Sequence, residues 1–145
     1  PSNYYQRARR MRYPSRYKVV NSLLKTLKDY VNDGRSIIFS SFDPDVCIIL
    51  KSLQCRYPVL LLSGGEIYKD EKNVHADVDS FDLRVSTLKR SIKWAVRTHL
   101  DGIVTDSEYI LADLSRVQDF KENDLLLFTF GSLNVDPENV AKQKV

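Results

Sequence analysis

Four stretches of the chain place hydroxyls, carboxylates or glycines directly after short apolar runs: Ser40-Ser41-Phe42-Asp43, Ser63-Gly64-Gly65, Thr105-Asp106-Ser107-Glu108 and Gly131 to Asn134. Hydroxyls and a helix N-terminus beside Ser41 could hold a phosphate, and the Phe42 ring could pack against a small polyol. Both residues also have a plainer reading, Ser41 as a local cap and Phe42 as core packing. Asp43, Asp45, Asp106 and Glu108 are of the right type for metal binding or acid–base work. All four stand at or near predicted helix starts, where the backbone dipole favours carboxylates, so capping is their expected role. Ser63-Gly64-Gly65 is too short for a phosphate loop and reads as a turn. His75 in a loop and His99 at a helix end have no partner cluster and are poor ligand candidates. Cys47 and Cys55 have no further ligands nearby, which argues against zinc. They read as buried free thiols of a reducing compartment. No Walker or dinucleotide fingerprint is present.

The elements that must carry these residues follow from periodicity. Apolar positions at Val19, Val20, Leu23, Leu24, Leu27, Tyr30 and Val31 draw one stripe on a helix ended by Asp33-Gly34. Ser36–Ser40 predicts a strand. Asp43 and Pro44 then open a helix as N-cap and first residue. Pro58–Leu62 is a continuous apolar run suited to a strand buried on both faces. The stretch 63–81 reads as a long loop, an insertion or a lid, with Gly64 to Asp79 expected to be exposed, and Ile37, Phe39, Leu60, Val104 and Leu127 are expected among the buried strand residues. Ser86 is expected to cap the next helix, Gly102–Val104 to form a strand, Ser107–Phe120 a helix and Leu125–Phe130 the fourth strand. Asp136-Pro137-Glu138 repeats the Asp-Pro helix start. Strict alternation of strands and helices implies an α/β fold with four parallel strands joined by right-handed crossovers. Periodicity leaves open a small doubly wound sheet or half of a barrel; in either, ligands meet the C-terminal strand ends.

At 145 residues, with 43% hydrophobic and 28% charged residues, the chain has the composition of one globular domain. No apolar run approaches the roughly 18 residues of a membrane span, no leader is visible, and the expected address is the cytoplasm. The net charge of +3 hides an asymmetry: residues 1–18 carry six basic side chains and no acid, leaving the remainder at −3. Tyr4, Tyr5, Tyr13 and Tyr17 make this segment imitate a nucleic-acid platform. A solvated terminus or the edge of a larger domain is the plainer reading, and nucleic acid is not an expected partner.

Three segments carry a family resemblance. Arg35 to Cys47, through Ser40-Ser41-Phe42-Asp43-Pro44, resembles the fifth strand and following helix of the glycerophosphodiester phosphodiesterase family, closest to its cytosolic glycerophosphocholine-cleaving branch. Tyr57–Leu62 resembles the next strand, Leu100–Val104 fits the seventh, and Leu125–Asn139 resembles the eighth strand and last helix. The resemblance implies the C-terminal half of a TIM-type (β/α)8 barrel over residues 18–145, with residues 1–17 a basic segment that is either a remnant of the fourth strand or outside the fold. It implies hydrolysis of a small-molecule glycerophosphodiester to glycerol 3-phosphate and an alcohol. The complete domain would need a divalent metal, calcium or magnesium, whose ligands lie outside this chain. The catalytic histidines belong to the first half as well, so the isolated chain is expected to be inactive. Ser41, Phe42 and Asn134 would form the substrate rim. If Arg10-Met11-Arg12-Tyr13-Pro14 matches the fourth strand, Arg10 replaces a metal-binding Glu and Arg12 stands at the position of a phosphate-contacting Lys. A family Trp near the eighth strand is replaced by Phe130. A non-catalytic, barrel-derived regulatory or interaction module is the alternative reading.

Overall fold

A computed structural model describes residues 14–30, 35–64 and 82–143. The chain forms two compact units, Pro1–Arg35 and Ser36–Val145. In the first, helix α1 (Arg16–Tyr30) buries Val20 and leaves Val19 and Leu23 largely exposed. The predicted stripe is therefore covered over a narrower arc than its apolar positions span.

The second unit runs β1 (Phe39–Ser41), α2 (Pro44–Leu53), β2 (Val59–Ser63), α3 (Leu88–Arg97), β3 (Gly102–Asp106), α4 (Ser107–Leu111), α5 (Arg116–Glu122), β4 (Leu126–Phe130), a 3-10 turn (Ser132–Val135) and α6 (Pro137–Lys142). The strands form one parallel sheet in the order β1-β2-β3-β4. Four parallel strands alternating with helices are what the sequence pattern implies, and they match part of a (β/α)8 barrel. Among the described residues β1 and β4 are the sheet edges.

Parallel register puts Phe39, Val59, Leu61, Ile103, Thr105 and Leu127 on one face and Ser40, Leu60, Val104, Leu126 and Phe128 on the other. The first face is the packed one. Val59, Leu61 and Ile103 are fully buried there, in a core shared with Cys47 and Leu50 of α2, Ile92 and Ala95 of α3, Ile110 of α4 and Val117 and Phe120 of α5. The second face is buried at Leu60 and opens toward β4, where Leu126, Phe128 and Phe130 keep 46%, 44% and 37% of their surface exposed. Gly102 lets β4 approach: a side chain there would collide with the Leu126 backbone.

The structure corrects several expectations. Phe39 and Leu60 are buried as expected, but Ile37, Val104 and Leu127 are only half-buried, because they lie at or beside the sheet edges. Cys47 is buried while Cys55, past the end of α2, is exposed. The helix expected from Ser107 to Phe120 is broken in two. The Asp113 carboxylate accepts hydrogen bonds from the Ser115 backbone N–H at 3.1 Å and its hydroxyl at 2.6 Å, a local closure that competes with helix continuation. Arg116 restarts the helix and stacks its guanidinium 3.7 Å from the Tyr109 ring centre. The cap of α3 is Thr87, whose hydroxyl accepts the Arg90 N–H. Ser86 accepts the Arg90 guanidinium instead, at 2.9 Å. The expected exposed loop 64–79 falls, from residue 65 onward, outside the described residues.

Candidate functional site at the strand ends

The C-terminal ends of all four strands gather on one rim. At the end of β1 the Ser41 hydroxyl accepts the Asp43 N–H at 3.1 Å, turning the chain toward α2. Asp43 caps α2, accepting the N–H groups of Asp45 at 3.0 Å and Val46 at 3.3 Å. The helix N-terminus that could have met a phosphate is thus filled by a carboxylate of its own chain. Phe42, between them, is 62% exposed, so the core-packing reading of that ring does not hold. Ser41 stands on the helix-facing side, and alternation turns the exposed Ser40 to the open face of the sheet. Beneath them the Cys47 thiol contacts the carbonyls of Ser41 and Leu60. Burial, reinforced by the Asp43 charge, pushes its pKa from 9.0 up to about 12, which makes it an inert packing group.

Ser63 ends β2 almost fully buried and accepts a hydrogen bond from Ser91 at 3.3 Å. Where the described chain resumes, Arg84 grips the Asp82 carboxylate and reaches Asp45 at 2.7 Å, with its guanidinium over Trp94. The Arg84 hydrogen bonds hold the Asp82 carboxyl below its ordinary 3.8. This clamp ties the segment that begins at Asp82 to the first turn of α2. Its partners are 39 positions apart, and no local pattern announces the pair.

At the end of β3, Asp106 caps α4 through the Glu108 N–H at 2.9 Å. Thr105 and Ser107 are fully buried, and their hydroxyls have no hydrogen-bond partner among the described residues. Gly131, with φ of 120°, lies against Ser107; a Cβ there would stand 2.8 Å from the Ser107 hydroxyl and 3.0 Å from the Asp106 carboxylate. Only glycine takes that backbone without strain. At the end of β4, Asn134 donates to the Thr129 carbonyl at 3.0 Å and accepts from Gln143 at 3.0 Å. Its amide is engaged in anchoring the 3-10 turn and α6 to β4. Arg12, the fourth proposed rim residue, lies outside the described residues.

The acids flagged by sequence are mostly accounted for by local structure: Asp43 and Asp106 cap helices, and Asp45 pairs with Arg84. Among the described residues no three His, Cys, Asp or Glu side chains converge as a metal site would require. The residues described here do not fit the divalent metal on which the family in general depends.

The model of the glycerophosphoryl diester phosphodiesterase family matches residues 3–144. The chain belongs to this family. Within the family it is 36% identical over 125 residues to human glycerophosphocholine phosphodiesterase GPCPD1, covering 84% of this chain and 17% of that protein. It is 32% identical over 129 residues to glycerophosphodiester phosphodiesterase GDPD2 of Arabidopsis thaliana, covering 88% of this chain and 31% of the relative. It is 34% identical over 125 residues to glycerophosphocholine phosphodiesterase gde1 of Schizosaccharomyces pombe, covering 86% and 10%. The chain therefore spans less than a third of the length of these curated relatives. No solved structure gives a significant match. Among the described residues no helix is long and apolar enough to cross a membrane.

Proposed function

We propose that this family member serves hydrolysis of glycerophosphodiesters, with glycerophosphocholine the substrate, as the glycerol-side wall of the pocket. The observation that carries the reading is the family match across residues 3–144, on a parallel sheet whose strand ends gather at one rim. Phe42 covers the apolar edge of the glycerol, and Ser41 serves the rim by turning the chain from β1 into α2 through its bond to the Asp43 N–H, which sets the position of Phe42. Arg12, at the position that the resemblance gives to a phosphate-contacting Lys, is the residue proposed for the phosphate. Asn134 acts by fixing the turn after β4, since its amide is occupied by Thr129 and Gln143. The metal, calcium or magnesium, and the acid–base groups are supplied by the other half of a complete barrel. The free thiols Cys47 and Cys55 suit a reducing compartment, and we place the protein in the cytoplasm.

A chimera tests this. Residues 18–145 replace the corresponding segment of the 36% identical human relative, and glycerophosphocholine hydrolysis is measured. Turnover that falls about tenfold or more with Phe42→Ala is expected, from loss of well-placed substrate contacts. A folded chimera with no turnover, or one indifferent to both Ser41→Ala and Phe42→Ala, would refute the assignment.

A further inference from the structure

We propose that Arg84 is a positioning residue for the glycerol wall, holding the first turn of α2 from outside that helix and so setting where the Phe42 ring stands. The inference rests on the function proposed above, in which Phe42 covers the glycerol. The Phe42 ring is 62% exposed, so packing does not hold it, and its direction follows from the backbone that joins β1 to α2. Local bonds shape that backbone: the Ser41 hydroxyl accepts the Asp43 N–H, and the Asp43 carboxylate accepts those of Asp45 and Val46. Bonds within a turn fix its shape and leave its place on the rim to longer contacts. Burial of Pro44, Cys47 and Leu50 seats one side of α2 on the core. The half-buried Asp45 stands beside them in the first turn, and Arg84 Nη1 reaches it at 2.7 Å from 39 positions away.

The geometry gives this tether a direction. Arg84 Nε donates to both Asp82 oxygens, at 2.8 and 2.9 Å, and the guanidinium lies 5.6 Å from the Trp94 ring centre. Carboxylate and ring together hold the guanidinium plane, which aims Nη1 at Asp45. The root of the side chain is fixed as well. The Arg84 N–H bonds the Asp82 carboxylate at 3.0 Å, the Val85 N–H bonds the Asp82 carbonyl at 3.0 Å, and Thr87 then caps α3. The side chains of Arg84 and Asp45 keep 39% and 42% of their surface exposed, and ion pairs this wet add little to stability. What the fork supplies is orientation. A lysine at this position carries the charge without it, because one ammonium cannot hold two carboxylates in a fixed plane.

Two measurements test the assignment. In the full chain, amide relaxation by NMR should show the Phe42 order parameter falling from about 0.85 toward about 0.6 in both Arg84→Met and Arg84→Lys. The amide of Ile92, in the core face of α3, should keep its value. In the chimera, kcat/KM for glycerophosphocholine should fall about three- to tenfold with Arg84→Met. The same change made on top of Phe42→Ala should cost nothing further, whereas a merely structural role would lower both backgrounds alike. Should Arg84→Met fail to fold, Asp45→Ala cuts the same bond at its other end and should give the same two results. An unmoved Phe42 amide in a folded variant, no loss of kcat/KM, or an equal loss in both backgrounds would overturn this proposal while leaving the glycerol wall standing. A chimera indifferent to Phe42→Ala would remove the wall itself, and this inference with it.

Discussion

Replacing Gly102 with Ala strikes the sheet where two strands approach most closely. A methyl group at this position overlaps the Leu126 carbonyl oxygen and lies 2.7 Å from the Leu126 Cβ and 2.8 Å from its carbonyl carbon. These are atoms on or next to the backbone of a neighbouring strand, with no side-chain rotation to relieve them. Restoring an ordinary carbon–carbon contact requires β3 and β4 to part by about 1 Å. The Leu126 N–H now meets the Asp101 carbonyl at 2.9 Å, and that displacement takes it beyond hydrogen-bond range. Losing the bond costs about 1 kcal/mol, and overpacking adds about 1–3 kcal/mol. The stiffer unfolded chain returns about 0.4–1 kcal/mol. The net loss is about 1–3.5 kcal/mol, a large part of the ~5–15 kcal/mol of an ordinary domain. Urea unfolding followed by far-ultraviolet circular dichroism should show it as a lower midpoint at unchanged slope, and the melting temperature should fall by about 2–14 °C. A loss below about 0.5 kcal/mol, within the range of neutral surface changes, would refute this account of the β3–β4 seam.

Thiol titration at pH 8 should label Cys55 quickly and Cys47 only on unfolding, since one is exposed and the other is buried with its pKa pushed to about 12. Because the folded Cys47 holds its proton more tightly than the free thiol at 9.0, stability should fall as pH rises through 9 toward 12; a flat stability profile there contradicts the burial. Carboxyl NMR should find Asp82 titrating below 3.8, and Arg84→Met should return it toward that value; an unchanged Asp82 would mean the clamp does not form in solution. The purified chain should hydrolyse no glycerophosphocholine with added calcium or magnesium, and metal-dependent turnover abolished by Ser41→Ala would reveal a site built from residues other than those described.

Much of this architecture is legible because its determinants are local. Asp43-Pro44 and Asp136-Pro137 announce helix starts, and in both places the Asp side chain accepts hydrogen bonds from the first turn. Alternating strand and helix periods imply a parallel sheet, and the sheet is parallel throughout. What escapes the pattern depends on competition or on distance. The apolar spacing from Ile110 to Phe120 is helical across the break, and a single Asp113–Ser115 closure overrides it. Burial of Leu127 depends on what covers an edge strand, which periodicity does not encode. The Arg84–Asp45 pair joins residues 39 positions apart, and only the fold brings them together.

The same distinction makes a site less legible in sequence than the fold that carries it. Carboxylates after strands look like chemistry, yet a parallel α/β sheet must turn every strand into a helix, and that turn itself recruits an acid to the helix start. Asp43, Asp106 and Asp136 all do this work here, and the N–H groups they accept are no longer available to an anion. With those acids engaged, the open side of the rim presents the Ser40 hydroxyl and the rings of Phe42 and Phe130, groups that shape and orient a polyol and leave proton transfer to other residues. A wall of this kind gains catalytic meaning only beside a surface carrying bases and metal ligands. The chimera measures that pairing directly, since it restores the opposite half while leaving Ser41 and Phe42 in place.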